Sequence, residues 1–165
     1  MNIGRNDIDW RNLSHDEIDR IIAERIEADD RRIEASGGKK PKRVGYILER
    51  IAEINNLREA DREAQDGKVK KNRFIRRHNL HPEEDLRALQ LMILTLDFPA
   101  PDYSVMKVRS DAGKVRDIVK QKYFPWRILH HAIMRVIGED IYKSLIYDTS
   151  ACIKGKGLHL SLIHI

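Results

Sequence analysis

The sequence predicts an α+β fold, mainly α, in which packed helices carry one small antiparallel β-hairpin. Three observations support this reading. Apolar residues recur at helical spacing in several separate segments, and two β-prone runs flank a glycine-containing loop. The 165 residues are 41% hydrophobic and 35% charged, a balance that suits a helical protein with a solvated surface better than an all-β or a disordered chain. This length accommodates one domain with a sizeable core and an appended arm.

The first helix is expected over 15–35. Ser14 followed three residues later by Glu17 forms a capping box, and Ile18, Ile21, Ile22, Ile26 and Ile33 follow at helical spacing. The rest of this helix carries mixed charge, including Asp29 and Asp30, and is read as a solvated face. Ser36-Gly37-Gly38-Lys39-Lys40-Pro41 ends it in a flexible basic linker, so 1–42 is taken as an amino-terminal helical arm. A second helix is expected over 44–66, with Val44, Ile47, Leu48, Ile51, Ile54 and Leu57 as its apolar stripe, a weak point at Asn55-Asn56 and Gly67 as its stop. Lys68, Lys70, Lys71, Arg73, Arg76 and Arg77 follow, interrupted by Phe74 and Ile75. Such a run is either a solvated helix face or a phosphate-binding surface.

Pro82 with Glu83 and Glu84 opens a core helix through Leu86, Leu89, Gln90, Met92, Ile93 and Leu96, ended by Pro99 and Pro101. Residues 105–109 and 115–119 then read as a hairpin around the loop 110–114. Alternation places Lys107 and Arg109 on one face of the first strand, with Lys114 and Arg116 at the turn and the start of the second. Pro125 is expected to open a last helix with Ile128, Leu129, Ala132, Ile133, Val136 and Ile137 inward, ending near Gly138, followed by a short helical turn over 139–145.

Composition also narrows the function classes. A formal net charge of +5 and a pI near 9.3 favour polyanionic partners. No apolar run approaches the roughly 18 residues of a membrane span, and residues 1–10 lack the pattern of a secretion signal, so a cytoplasmic protein without a membrane partner is expected. Cys152 is the sole cysteine, which allows neither an internal disulfide nor a cysteine-based zinc site. Asp29-Asp30 and Asp7-Ile8-Asp9 are read as solvent-facing rather than metal-binding.

Order and spacing add a further signal. Tyr103 to Arg109, then Asp111-Ala112-Gly113-Lys114-Val115-Arg116-Asp117-Ile118, then Tyr123-Phe124-Pro125-Trp126-Arg127-Ile128-Leu129-His130-His131-Ala132-Ile133, resembles the fingers of reverse transcriptases of the bacterial group II intron, retron and diversity-generating retroelement type. Tyr147-Asp148-Thr149-Ser150-Ala151-Cys152-Ile153-Lys154-Gly155-Lys156-Gly157-Leu158-His159 resembles the block that follows in that family. Asn56-Leu57-Arg58-Glu59-Ala60 and Gly67-Lys68 are similar to the short helix preceding the fingers. The resemblance covers 43–159, read as a partial fingers domain of a right-hand polymerase. Trp126 stands where many relatives carry an Asp before the arginine of the proline-led helix, so any ionic contact of that Asp is lost here.

The resemblance implies an RNA-directed DNA polymerase that uses an RNA template and deoxynucleotides to make a DNA product, with Mg²⁺ held by carboxylates of the palm. Neither the aspartate-bearing strand nor the Tyr-x-Asp-Asp hairpin of such a palm occurs here, so no catalytic or metal-binding residue is assigned and this piece is expected to be inactive by itself. The resemblance gives Arg116 a triphosphate contact, assisted by Lys107 and Lys114. It gives Arg109, Arg127, Lys70, Lys71 and Arg73 contacts to the nucleic-acid backbone. Lys154, Gly155, Lys156 and Gly157 would let the main chain approach the template, since glycine has no side chain to obstruct it.

Leu160-Ser161-Leu162-Ile163-His164-Ile165 does not continue the resemblance. It is what the transposon end used in preparing sequencing libraries encodes in one frame, so 160–165 is expected to be an artefact of an incomplete gene, and His164 is not recruited as a ligand. A fragment lacking the palm that would cover its last helices is expected to be marginally stable. Two other readings stay open: a complete, small, non-catalytic RNA- or DNA-binding protein, and a helical interaction protein with a charged surface.

Overall fold

The computed structural model describes residues 8–36, 45–68, 72–109 and 113–145. After a 3₁₀ turn at Trp10–Asn12 come α1 (His15–Ala35), α2 (Ile47–Ala52), α3 (Ile54–Gln65), α4 (Arg73–His78) and α5 (Pro82–Thr95). The hairpin β1 (Tyr103–Arg109) and β2 (Val115–Gln121) follows, then a tight turn at Tyr123–Arg127 and α6 (Ile128–Ser144). The chain is thus mainly helical with a two-stranded antiparallel sheet. No described helix is long and apolar enough to cross a membrane.

The core lies where α2 and α3 pass between α5 and α6. Ile22, Leu57, Ile75, Leu89, Ile93 and Ile128 are fully buried there. Ala60 and Ala64 of α3 and Ala132 of α6 are also buried, and small side chains at a crossing let two helices approach closely. Asn56 fastens that crossing by donating from Nδ2 to the Ala132 carbonyl at 3.2 Å.

The capping box of α1 forms as its sequence predicts: the Ser14 amide donates to Glu17 Oε2 at 2.9 Å and the Glu17 amide to Ser14 Oγ at 3.3 Å. α1 is tied to the rest of the chain by Ile18 and Ile22 and by a polar lock. Arg87 Nη1 and Gln90 Nε2 both donate to Asp19 Oδ1, at 2.7 and 3.0 Å, and the same Gln90 amide reaches the Ala52 carbonyl at 3.0 Å.

Five expectations need correction. The single helix over 44–66 is two helices, because Glu53 turns extended (φ −56°, ψ 128°). The break falls just before Asn55-Asn56, and Asn56 Nδ2 takes up the Ile51 carbonyl at 3.1 Å in place of a backbone donor. Ile47 and Leu48 are consequently exposed, while Ile51, Ile54 and Leu57 are buried; Val44 lies outside the described residues. Leu96 is not core: it closes α5 in a left-handed conformation (φ 55°) with 59% of its surface exposed. Gly138 does not end the last helix, which runs on to Ser144 with the Lys143–Glu139 pair across its final turns. Pro125 does not open that helix either; it follows Phe124, whose extended backbone (φ −94°, ψ 138°) leaves both in the preceding turn, with a cis bond between them.

The fifth correction is Asp29, which is 3% exposed rather than solvated. Its carboxylate accepts from Arg32 at 2.5 Å, from the Gly45 amide at 3.1 Å and from Arg50 at 3.2 Å, closing the start of α2 onto α1. Burial opposes its charge, yet these donors outweigh that and hold the carboxyl below its ordinary range. A Cβ at residue 45 would stand 2.8 Å from Asp29 Oδ1, so only glycine lets the amide come this close. Next to it, the Arg25 guanidinium lies between the rings of Trp10 and Tyr46, at 5.6 and 5.5 Å, and pairs with the buried Glu49 at 2.5 Å.

A second buried polar junction joins four elements. His78 of α4 is 3% exposed; its Nδ1 lies 2.7 Å from Asp85 Oδ2 of α5, and its Nε2 lies 3.2 Å from Asp61 Oδ1 of α3, off the line of a hydrogen bond. The Tyr123 hydroxyl, from the turn after the hairpin, donates to Asp61 Oδ1 at 2.5 Å, with the Asp61 carbonyl at 3.1 Å. The His78 ring stacks on Phe124 (6.1 Å, 12°) and meets Tyr123 at a tilt. Burial disfavours the imidazolium, but Asp61 and Asp85 outweigh it and raise the His78 pKa; burial likewise opposes the Asp61 charge, and His78, Tyr123 and Gln65 outweigh it and lower the Asp61 pKa.

Two outcomes are expected. Gly45→Ala should destabilise the chain by about 1–3 kcal/mol and Asp29→Ala by about 3 kcal/mol, with the double variant well short of their sum because both remove one contact; additive denaturant-melt losses would refute the clamp. Because folded His78 holds its proton more tightly than in the unfolded chain, its contribution is complete below the ordinary value of 6.5 and fades as pH rises through the raised folded pKa. That of Asp61 is present above 3.8 and lost as pH falls through its lowered folded pKa. Thermal melts from pH 6 to 9 should therefore show the midpoint falling more steeply for the natural chain than for His78→Gln, and parallel curves would exclude this coupling.

Candidate nucleic-acid interface

Helix α4 is capped by Asn72, whose Oδ1 accepts from the Phe74 amide at 2.9 Å. Ile75 and His78, three residues apart, bury one face of this short helix. Arg73, Phe74, Arg76 and Arg77 are left outward. His78 holds α4 against α3 and α5, while Tyr123 and Phe124 hold the foot of the hairpin against the same junction. The base of the hairpin and α4 therefore face each other across an open groove.

This groove, of about 1230 Å³, is lined by Lys68, Arg73 and Arg77 on one side, Lys120 and Lys122 on the hairpin, and Arg127 beyond the turn. Against these six cations stands, among the described residues, one lining acid, Asp102, which pairs with Lys122. Phe74, Met106 and Val119 interleave apolar surface, and Asn72, Ser104 and Gln121 supply amide and hydroxyl groups. The field of the cations reaches His131, whose pKa is lowered first by burial and then by Arg127, with Lys68 acting in the same sense.

The strand register distributes the hairpin residues named from sequence. Val108 pairs with Arg116, Met106 with Ile118 and Ser104 with Lys120, so Arg116 shares a face with groove-lining residues. Lys107, paired with Asp117, and Arg109, paired with Val115, occupy the opposite face, which they share with the groove-lining Val119 and Gln121. The triphosphate trio of Lys107, Lys114 and Arg116 is thus divided, with Lys107 and Arg116 on different faces and Lys114 just before β2. Both strands are almost wholly exposed.

Of the backbone-contacting residues named from sequence, Arg73 and Arg127 meet in the groove although 54 positions apart in sequence number, from 73 to 127. Lys70, Lys71, Lys154, Gly155, Lys156 and Gly157 lie outside the described residues, as does Cys152. Sequence reasoning missed Lys120 and Lys122. Lys120 was within reach, since 116, 118 and 120 alternate onto one face. Lys122 lies past the strand, where alternation no longer applies. The junction of Asp61, His78, Asp85 and Tyr123 left no signal, because it is assembled from distant positions on four elements.

Chemically, the groove offers fixed positive charge, a few neutral hydrogen-bonding groups and exposed apolar surface. This suits an extended polyanion with flat, apolar groups along it. Among the described residues no group of three or more His, Cys, Asp or Glu side chains is placed to hold a metal ion. Compared with known proteins, the chain matches no family model, no curated protein sequence and no solved structure.

Proposed function

We propose that the chain binds the sugar–phosphate backbone of nucleic acid in the groove between α4 and the hairpin, and that it serves as the fingers portion of an RNA-directed DNA polymerase. The observation that carries the first part is that, among the described residues, six cations and one acid line the groove, and five of those cations have no lining acid to match them once Asp102 pairs with Lys122. Lys and Arg in such a cleft attract phosphates and release their counterions without reading sequence. The second part rests on the ordered resemblance across 43–159. In it, Arg116 contacts the incoming triphosphate, assisted by Lys107 and Lys114, the enzyme copies an RNA template into a DNA product, and palm carboxylates hold the Mg²⁺.

Fluorescence anisotropy with labelled 12-nucleotide RNA tests the groove. Binding should weaken with salt along a log–log slope of about −2 to −3.5, as expected for about three to five phosphate contacts at ~0.7 each on a single strand. Arg77→Glu combined with Arg127→Glu should lower affinity at least tenfold at low salt, while Arg20→Glu on the exposed face of α1 should change it less than twofold. Equal affinity of the groove variant and the natural chain would refute the assignment. The polymerase part is tested by reading the gene beyond codon 159: a frame entering an aspartate-bearing strand and a Tyr-x-Asp-Asp hairpin is expected, and a frame closing there would refute it.

A further inference from the structure

Phosphate binding explains the cations of the groove but not its aromatic and apolar residues. Phe74 lies on the outward side of α4 with 37% of its surface exposed, although the same helix buries Ile75 completely. Its ring lines the groove, and the Arg73 guanidinium sits over it with Cζ 5.0 Å from the ring centroid. The Arg73 guanidinium and the Phe74 ring together form a partly cationic platform in the wall that Lys68 and Arg77 also line. Across the groove, Met106 and Val119 expose further apolar surface. Ile75 and His78 pin α4 from behind, so the backbone that carries Arg73 and Phe74 is set by the buried side of the helix.

We infer that the groove selects single-stranded nucleic acid, stacking one unpaired base on the Arg73–Phe74 platform while the neighbouring phosphates meet Lys68, Arg77 and Arg127. This rests on the backbone-binding reading above. Within a duplex each base is stacked between its neighbours and presents only its edge in a groove, so an aromatic ring fixed among phosphate-binding cations has nothing to stack on. A single strand exposes base faces, every base has one, and stacking on aromatic rings and arginine planes is tolerant of sequence. Cations interleaved with aromatic and apolar surface form the combination that binds single strands.

The test is anisotropy of the whole chain with oligo(U), oligo(dT) and a blunt duplex of equal length at one salt concentration. The natural chain should bind either single strand at least tenfold more tightly than the duplex. Phe74→Ala and Phe74→Leu should each weaken single-strand binding about 5- to 150-fold, the equivalent of ~1–3 kcal/mol per stacked base, and leave duplex binding within twofold. Leu keeps the apolar bulk, so its loss would report stacking rather than packing, and Phe74→Tyr should restore affinity to within threefold. A 2-aminopurine in the oligonucleotide should be quenched by the natural chain and not by Phe74→Leu. The inference falls if Phe74→Leu retains both affinity and quenching, or if duplex binds as tightly as single strand. If the Arg77→Glu, Arg127→Glu variant still weakens binding in that case, the backbone reading survives and stacking alone is refuted; if it does not, both fall.

Discussion

The arrangement of this chain depends on one buried contact set, His78 with Asp85 and Asp61, and Asp61 with Tyr123. Four elements meet there, and each brings a polar group that would be costly to bury alone. α4 has six residues and α5 starts four residues after it ends, so neither α4 nor the hairpin could set its own direction from local structure. An apolar cluster would hold these pieces together but would tolerate rotation and sliding. Directed bonds to an imidazole and a phenol define which way α4 and the foot of the hairpin point. The Tyr123 hydroxyl is kept protonated by burial and by the Asp61 carboxylate, both of which raise its pKa, and so remains a donor.

What the junction positions is a hairpin with little other support. β1 and β2 are almost wholly exposed on both faces, and an isolated pair of strands is marginal in water. Its seven paired positions from Tyr103–Gln121 to Arg109–Val115 fix the internal register, but its placement against α4 comes through Tyr123 and Phe124 immediately after β2. The groove is therefore a product of the turn as much as of the strands. A change at the turn would re-aim the hairpin without altering its pairing.

Sequence patterns carried the local structure and lost the tertiary one in a physically consistent way. The capping box of Ser14 and Glu17, the Pro82 start of α5 and the hairpin around the loop 110–114 are read from neighbours in sequence, and each forms. Where a distant partner decides, the pattern misleads. Asp29 looks like one more surface charge on α1 until Gly45 and Arg50 fold onto it, and Gly138 looks like a stop although the helix around it continues. Asn55-Asn56 marked the weak region correctly, but the backbone turns at Glu53, because an Asn three residues on can supply the missing donor to Ile51. In the groove, Arg73 and Arg127 were legible as basic residues in suggestive settings. Their convergence with Lys68, Arg77 and Lys120 was not, since it follows from the buried junction.

The distribution of charge also makes the net value a poor guide to the groove. Taken over the chain, the excess is only +5. Yet many acids are engaged elsewhere: Asp19 with Arg87, Asp29 and Asp30 with Arg50, Glu49 with Arg25, Glu83 with Arg58, Glu63 with Arg135, and Asp61 and Asp85 with His78. These pairs close interfaces among the helices and cancel much of their own field at a distance. Among the described residues that line the groove the balance is six to one, and its walls concentrate the field further. A uniformly basic surface would attract polyanions everywhere. Committing acids to helix–helix contacts leaves the cations that line the cleft without matching acids, at the place where α4 and the hairpin face each other.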